Sequence, residues 1–292
     1  LGMTLDFATA GQVKVSMFDF VDDLLRDYRK AAPEEHGIKT SAAPRNLFVV
    51  DDDCEKLDKK KAEQFHHLVA KTLFATKRAR PDTGTAVSFL STRVRAPDKQ
   101  DWTKLVHMMK YLRGTRRLPL ILSSDGMGVL KRRVDGSFAV HPNMRGHTGG
   151  GLTMGRGFPL SGSTKQKLNT RSSTESEVVG VDDLMPAILW TRNFLEAQGY
   201  GVKECILLQD NKSAILLEKN GKASSSKRTK HISIRYFFVT DRIRKGELSV
   251  EWCPTEDMLG DFWTKPTQGK QFTRVRDQIM GAQSIQPPRA GK

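Results

Sequence analysis

Four carboxylates, each in a different local setting, constrain this chain more than any other feature: Asp135, Glu177, Asp210 and Asp261. Asp135 lies in Arg133-Val134-Asp135-Gly136-Ser137-Phe138-Ala139-Val140, where apolar and charged residues alternate as in a half-buried strand. Glu177 stands near the start of a long segment with apolar residues at helical spacing. Asp210 closes the apolar run Cys205-Ile206-Leu207-Leu208-Gln209 and is followed at once by helix-forming residues. Asp261 falls in an expected short helix after the strand Leu248-Ser249-Val250-Glu251-Trp252. A strand, a helix start, a strand end and a late helix can meet at one rim of a mixed sheet, so an α/β layer fold is the frame to expect. Like charges brought together repel, and such a cluster persists when cations neutralise it. Oxygen ligands of this kind suit Mg²⁺ or Mn²⁺.

The pattern along the chain divides in two. A hairpin is expected from Gly2–Phe7 and Val13–Met17 about a turn at Thr9-Ala10-Gly11, followed by a helix from Phe18 to Tyr28. Residues 31–53 read as an extended loop. Helices follow at Lys59–Ala75, at Thr83–Arg93 and after the N-cap Asp98, the last with Trp102, Leu105, Val106, Met109 and Leu112 on one face. The pattern breaks at 114–119, and a short strand (Leu120-Ile121-Leu122) and a turn at Asp125-Gly126 mark the expected boundary. Beyond it come strands at 129–140, 149–157 and 158–164, a helix at 174–198, a strand at 204–209, helices at 211–219 and 229–244, a strand at 247–253 and a helix at 256–263. The expected units are residues 1–122, mainly helical with an N-terminal hairpin; 126–265, α/β; and 266–292, a helix with a loose tail. Gly149-Gly150-Gly151 lacks the Gly-Lys-Ser/Thr ending of a phosphate loop and leads into a strand, so a hairpin is expected there instead.

Charge narrows the partner. The 292 residues hold 48 Lys+Arg against 33 Asp+Glu, a formal charge of +15, which points to a polyanion, with nucleic acid the leading candidate. Lys222, Lys227, Arg228, Lys230 and Arg235 form a basic run expected to contact phosphates, with a solvated basic face as the alternative. Ser173 and Asn211, polar and close to the acids, are candidates to touch the strand. Cys54, Cys205 and Cys253 form no pair with metal-ligand or disulfide-framework spacing, which fits a reducing intracellular compartment. No apolar run approaches membrane-spanning length. The chain opens Leu-Gly-Met and reads as a piece of something longer.

Four motifs occur in order: Ser172-Ser173-Thr174-Glu175-Ser176-Glu177, Gln209-Asp210-Asn211-Lys212-Ser213-Ala214, Arg228-Thr229-Lys230-His231-Ile232 with Arg235-Tyr236, and Asp261-Phe262-Trp263-Thr264-Lys265-Pro266. Together they resemble the ribonuclease H region that ends the polyprotein of Ty1/copia-type LTR retrotransposons. Upstream, Leu1-Gly2-Met3 looks like the hairpin near the primer grip of that family's reverse transcriptase, and Tyr111-Leu112-Arg113-Gly114-Thr115 like the helix before its ribonuclease H domain. The resemblance implies a ribonuclease H-like mixed sheet flanked by helices, preceded by a thumb- or connection-like segment. It implies that Asp135, Glu177, Asp210 and Asp261 are catalytic and hold two Mg²⁺ ions, with Mn²⁺ an alternative. The implied substrate is an RNA–DNA hybrid, the implied partner an upstream polymerase domain of the same polyprotein, and the compartment a cytoplasmic particle or the nucleus.

Glu177 is preferred to Glu175 because the apolar helix pattern begins immediately after it. The palm with paired aspartates is absent from these residues, and Asp51-Asp52-Asp53 reads as a solvated run. Gly260, before the last acid, is expected to weaken a helix by roughly 1 kcal/mol and to loosen Asp261. His231 is either near the site or a packing residue. Two other readings stay open: a decayed, non-catalytic fragment that only binds nucleic acid, and an integrase or transposase, against which the fourth acid and the missing zinc-binding segment speak.

Overall fold

The computed structural model describes residues 2–221 and 233–285. The α/β architecture expected of the second half is present. Strands β4 (Val129–Ser137), β5 (His147–Thr153), β7 (Leu160–Lys165), β8 (Glu204–Gln209) and β9 (Ser249–Trp252) form one five-stranded sheet in the order β7-β5-β4-β8-β9. The first three strands are antiparallel neighbours, whereas β8 and β9 run parallel to β4. Helix α5 (Ser173–Ala197) covers one face, laying Val181, Leu184, Met185 and Ile188 on Leu130, Val134 and Leu152. Helices α6 (Lys212–Asn220) and α7 (Ser233–Arg244) flank the parallel edge. Alternation along β4 is what sends Val134 into this core and Asp135 to the opposite face.

The N-terminal half contains β1 (Thr4–Asp6), β2 (Val13–Ser16), α1 (Phe18–Ala31), α2 (Lys59–Thr76), α3 (Gly84–Ser91), α4 (Lys99–Gly114) and β3 (Leu120–Ser124). Asp58 and Asp98 cap α2 and α4, the latter with a reciprocal capping box through Asp101. Packing is continuous across the break in sequence pattern. β3 joins β2 to the two-residue strand β6 (Gly155–Arg156) in a second sheet, ordered β1-β2-β3-β6. The hydrophobic core of α1–α4 is completed by Phe158, Phe262, Trp263 and by Phe272, Val275 and Ile279 of α8 (Gly269–Ile279). Thr85 Oγ1 donates to the Phe262 carbonyl at 2.6 Å, and Gln268 Nε2 donates to the Ala43 carbonyl at 2.7 Å. Ile285 packs against the same core.

Three local expectations differ from the structure. The segment after β9 holds two short 3-10 turns, Thr255–Asp257 and Leu259–Trp263, in place of an α-helix. Within the second, Gly260 is a point of close approach: a Cβ there would stand 3.1 Å from both Cβ and N of Asp135. It lets the turn lie against β4. Gly149-Gly150-Gly151 is the interior of β5 and no hairpin turn. A Cβ on Gly149 would lie 2.6 Å from Thr264 Cγ2, and one on Gly151 would lie 2.5 Å from Trp263 Cη2. The missing side chains let the Leu259–Trp263 turn lie directly on the strand.

Candidate active site

Asp135 stands near the end of β4 on the face away from α5, beneath the Leu259–Trp263 turn. Glu177 is in the first turns of α5, which Ser172 starts by accepting the Glu175 N–H, while the Glu175 carboxylate accepts the Arg171 N–H at 2.7 Å. These two bonds tie Glu175 to the start of the helix, and Glu177 faces the sheet. Asp210 follows β8 directly and precedes Asn211, the N-cap of α6. Oxygens of Asp135, Glu177 and Asp210 lie within 4.8 Å of one another. Asp261, from the Leu259–Trp263 turn, stands beside Asp135 and adds its charge there, outside that three-residue group.

Hydroxyls, a backbone N–H and one ammonium hold these carboxylates. Thr264 Oγ1 donates to Asp135 Oδ2, and Thr255 Oγ1 donates to Asp210 Oδ2 at 3.0 Å. The Gly136 N–H donates to the Glu177 carboxylate. Lys265 Nζ donates to Asp261 Oδ1 at 2.7 Å and lies 3.8 Å from Asp135 Oδ1. None of Thr264, Thr255 or Lys265 was assigned a role from sequence. For Thr264 and Lys265 a signal existed, because they lie three and four residues after Asp261.

The electrostatics mark an anion-rich pocket short of positive charge. Burial, then the charge of Asp261, pushes the Asp135 carboxyl up to about 6. Burial raises Glu177 well above the usual carboxylate range, with the charges of Asp135 and Asp210 adding to it. Asp210 is raised by burial and by Asp135, against the Thr255 hydrogen bond. Acids raised in this way accept cations readily, and the donor set, all carboxylate oxygen, is that of a hard divalent ion. The residues therefore fit Mg²⁺ or Mn²⁺. A cavity of about 380 Å³ opens over the cluster, lined by Phe48, Phe138, Ser173, Glu177, Lys265 and Pro266 among others.

The other sequence candidates fall as follows. Ser173 lines the cavity. Asn211 is the N-cap of α6, its Oδ1 accepting the Ala214 N–H at 3.0 Å. Arg235 sits in an ion pair with Asp182 of α5 and lies 3.7 Å from Asp183, tying α7 to α5. Lys222, Lys227, Arg228, Lys230 and His231 lie outside the described residues. Cys205 and Cys253 are buried in apolar surroundings, as expected of small core residues. Among the described residues no helix is long and apolar enough to cross a membrane.

Strand order, strand polarity and the acids at the sheet rim define a ribonuclease H-like α/β domain with a buried carboxylate cluster. The chain is homologous to the retrovirus-related Pol polyproteins of copia-type plant transposons. That from transposon TNT 1-94 of Nicotiana tabacum is 28% identical over 212 residues, 72% of this chain and 16% of the polyprotein. Those from transposons RE2 and RE1 of Arabidopsis thaliana are each 30% identical over 202 residues, covering 68% of this chain and 14% of each relative. The chain thus spans a small part, 14% to 16%, of the length of these curated relatives. No family model matches. Among solved structures, an N-terminal RNase H domain from Mycobacterium tuberculosis, fused to maltose-binding protein, overlaps 53% of this chain and 94% of its own. Identity is 13% and the TM-score 0.29, so the fold assignment rests on the strand order instead.

Proposed function

We propose that this chain is the ribonuclease H portion of a retrotransposon polyprotein and hydrolyses the RNA strand of an RNA–DNA hybrid during reverse transcription. The observation that carries the reading is the convergence of Asp135, Glu177 and Asp210 to within 4.8 Å, with Asp261 alongside. Asp135, Glu177 and Asp210 would hold the divalent ions, with Asp261 completing the set on the Asp135 side. Bound ions supply activation of the attacking water and stabilisation of charge on the leaving 3′ oxygen. The products are then RNA with a 5′-phosphate and a 3′-hydroxyl.

The protein groups do the positioning. Thr264 and Thr255 each fix one oxygen of Asp135 and Asp210, which leaves the other oxygen of each without a hydroxyl donor and turned to ligation. Ser173 offers a hydroxyl at the cavity wall, where a strand laid across the rim would pass. Phe48, contributed by the N-terminal half, forms part of the same wall, so that half helps to shape the substrate path. The net charge of +15 supports electrostatic attraction of a nucleic acid without sequence reading. Residues 1–122 serve in this proposal as the terminal part of the reverse transcriptase, adjoining an upstream polymerase domain of the same polyprotein.

The test is cleavage of an end-labelled RNA–DNA hybrid with Mg²⁺ or Mn²⁺. Wild type is expected to cut the RNA strand, and Asp210→Asn to lose at least about a hundredfold in rate. Cutting that persists in the variant, or in excess chelator, refutes the assignment. Hybrid binding with a steep salt dependence and no cutting favours the non-catalytic alternative.

A further inference from the structure

The cluster holds more negative charge than its hydroxyl donors can offset, and among the described residues one cation stands inside it. Lys265 Nζ is 2.7 Å from Asp261 Oδ1 and 3.8 Å from Asp135 Oδ1, and its positive charge reaches Asp135, Glu177 and Asp210 alike. Lys212, the next cation along from Asp210, is committed elsewhere, its Nζ lying 4.6 Å over the Trp252 ring. The two oxygens of Asp135 are unequally available. Oδ2 accepts the Thr264 hydroxyl, so Oδ1 is the oxygen free for a ligand, and it is the one Lys265 approaches.

The backbone sets this position. The Lys265 N–H donates to the Asp261 carbonyl at 2.9 Å, which places its side chain over that of Asp261. The side chain is 47% exposed, against 4% for Asp135, so the ammonium enters from the cavity side and has room to leave. Resting on the metal-binding reading above, we propose that Lys265 is a resident counter-cation of the carboxylate cluster. It occupies the ligand oxygens of Asp135 and Asp261 in the metal-free protein, and divalent ions displace it. Lys265 therefore weakens metal binding while stabilising the empty site, and acts as a positioning residue for its two carboxylates.

A residue with a purely structural role would, when removed, leave metal affinity unchanged or lower it. A competitor has the opposite sign. Isothermal titration of the full chain with MgCl₂ or MnCl₂ alone, without nucleic acid, measures this. Lys265→Met is expected to bind the ion about tenfold more tightly than wild type, about 1.4 kcal/mol. Lys265→Arg, which keeps the charge, is expected to stay near wild type. In chelator, Lys265→Met is expected to melt below wild type, and excess Mg²⁺ to close that gap. Should Lys265→Met fail to fold in chelator, Lys265→Gln, whose amide can still donate to Asp261, serves for the same titration. Equal or weaker affinity in the neutral variants, with wild type binding normally, overturns the inference and leaves the metal site standing. No binding in any of the proteins overturns both.

Discussion

His141 and His147 form a buried chain whose protonation the fold forbids, and this makes acid stability a quantitative test of the structure. His141 Nε2 lies 2.9 Å from His147 Nδ1, and His147 Nε2 lies 2.8 Å from Ser163 Oγ. The Ser163 hydroxyl donates to the Trp263 carbonyl at 2.7 Å, so its oxygen accepts from His147. His147 therefore carries its proton on Nε2 and accepts from His141 Nε2–H through Nδ1. A second proton on His147 would set two N–H groups face to face. Burial pushes His147 down to about 3 and His141 down to about 4. Phe48 packs edge-on to both rings and offers no acceptor.

In the unfolded chain both imidazoles bind a proton near pH 6.5, whereas in the folded chain neither does above about pH 4. The unfolded state thus holds the extra protons, and stability falls as pH drops through this window. At about pH 5 the difference is about 1.5 units for each ring, or about 2 kcal/mol each and about 4 kcal/mol together. Asp135, Glu177 and Asp210, all raised, act in the opposite sense, because the folded state keeps protons the unfolded state releases. Their contribution cancels when wild type is compared with a His141→Gln/His147→Gln double variant. Urea unfolding at about pH 7.5 and pH 5 should show wild type losing about 4 kcal/mol more than the double variant over that interval. Equal losses, to within about 0.5 kcal/mol, would refute the buried neutral chain.

Two further outcomes test the packing. Trp263, fully buried, donates its Nε1–H to the Pro81 carbonyl at 3.0 Å and stacks edge-on to Phe158 where both halves of the molecule meet; Trp263→Ala should lower unfolding free energy by about 3–5 kcal/mol in urea melts and perturb both halves together. Arg80 and Asp82 form a buried bidentate pair that also takes the Tyr111 hydroxyl at 2.5 Å; Asp82→Ala, which strands the Arg80 charge, should destabilise by about 3–5 kcal/mol by the same measurement.

Local periodicity made much of this molecule legible. The α5 pattern put Glu177 on the core-facing side of the first turns, where it meets Asp135 and Asp210, and left Glu175 as a first-turn residue that complements the helix dipole, because helical spacing depends on neighbours three and four residues away. The end of β8 placed Asp210, and the alternation of β4 placed Asp135 on the face opposite the core. What was misread involves contacts between distant segments. Gly260 reads as a helix-weakening residue until it is found against Asp135, and the triple glycine reads as a turn until Trp263 is found lying on it. Asn211, a candidate to touch the strand, and Arg235, a candidate phosphate contact, also have places in the fold that the pattern did not show, one capping α6 and the other pairing with α5.

The α/β class, the basic character and the choice of candidate acids were readable from sequence alone, since these follow from composition and short-range steric preference. Tertiary structure decided which groups neutralise those acids and how the halves join. Whether Lys265 meets Asp135, or Thr255 meets Asp210, depends on how a turn after β9 lands on strands laid down more than forty residues earlier. That landing is fixed by volume, through the missing side chains of Gly149, Gly151 and Gly260 and the bulk of Trp263.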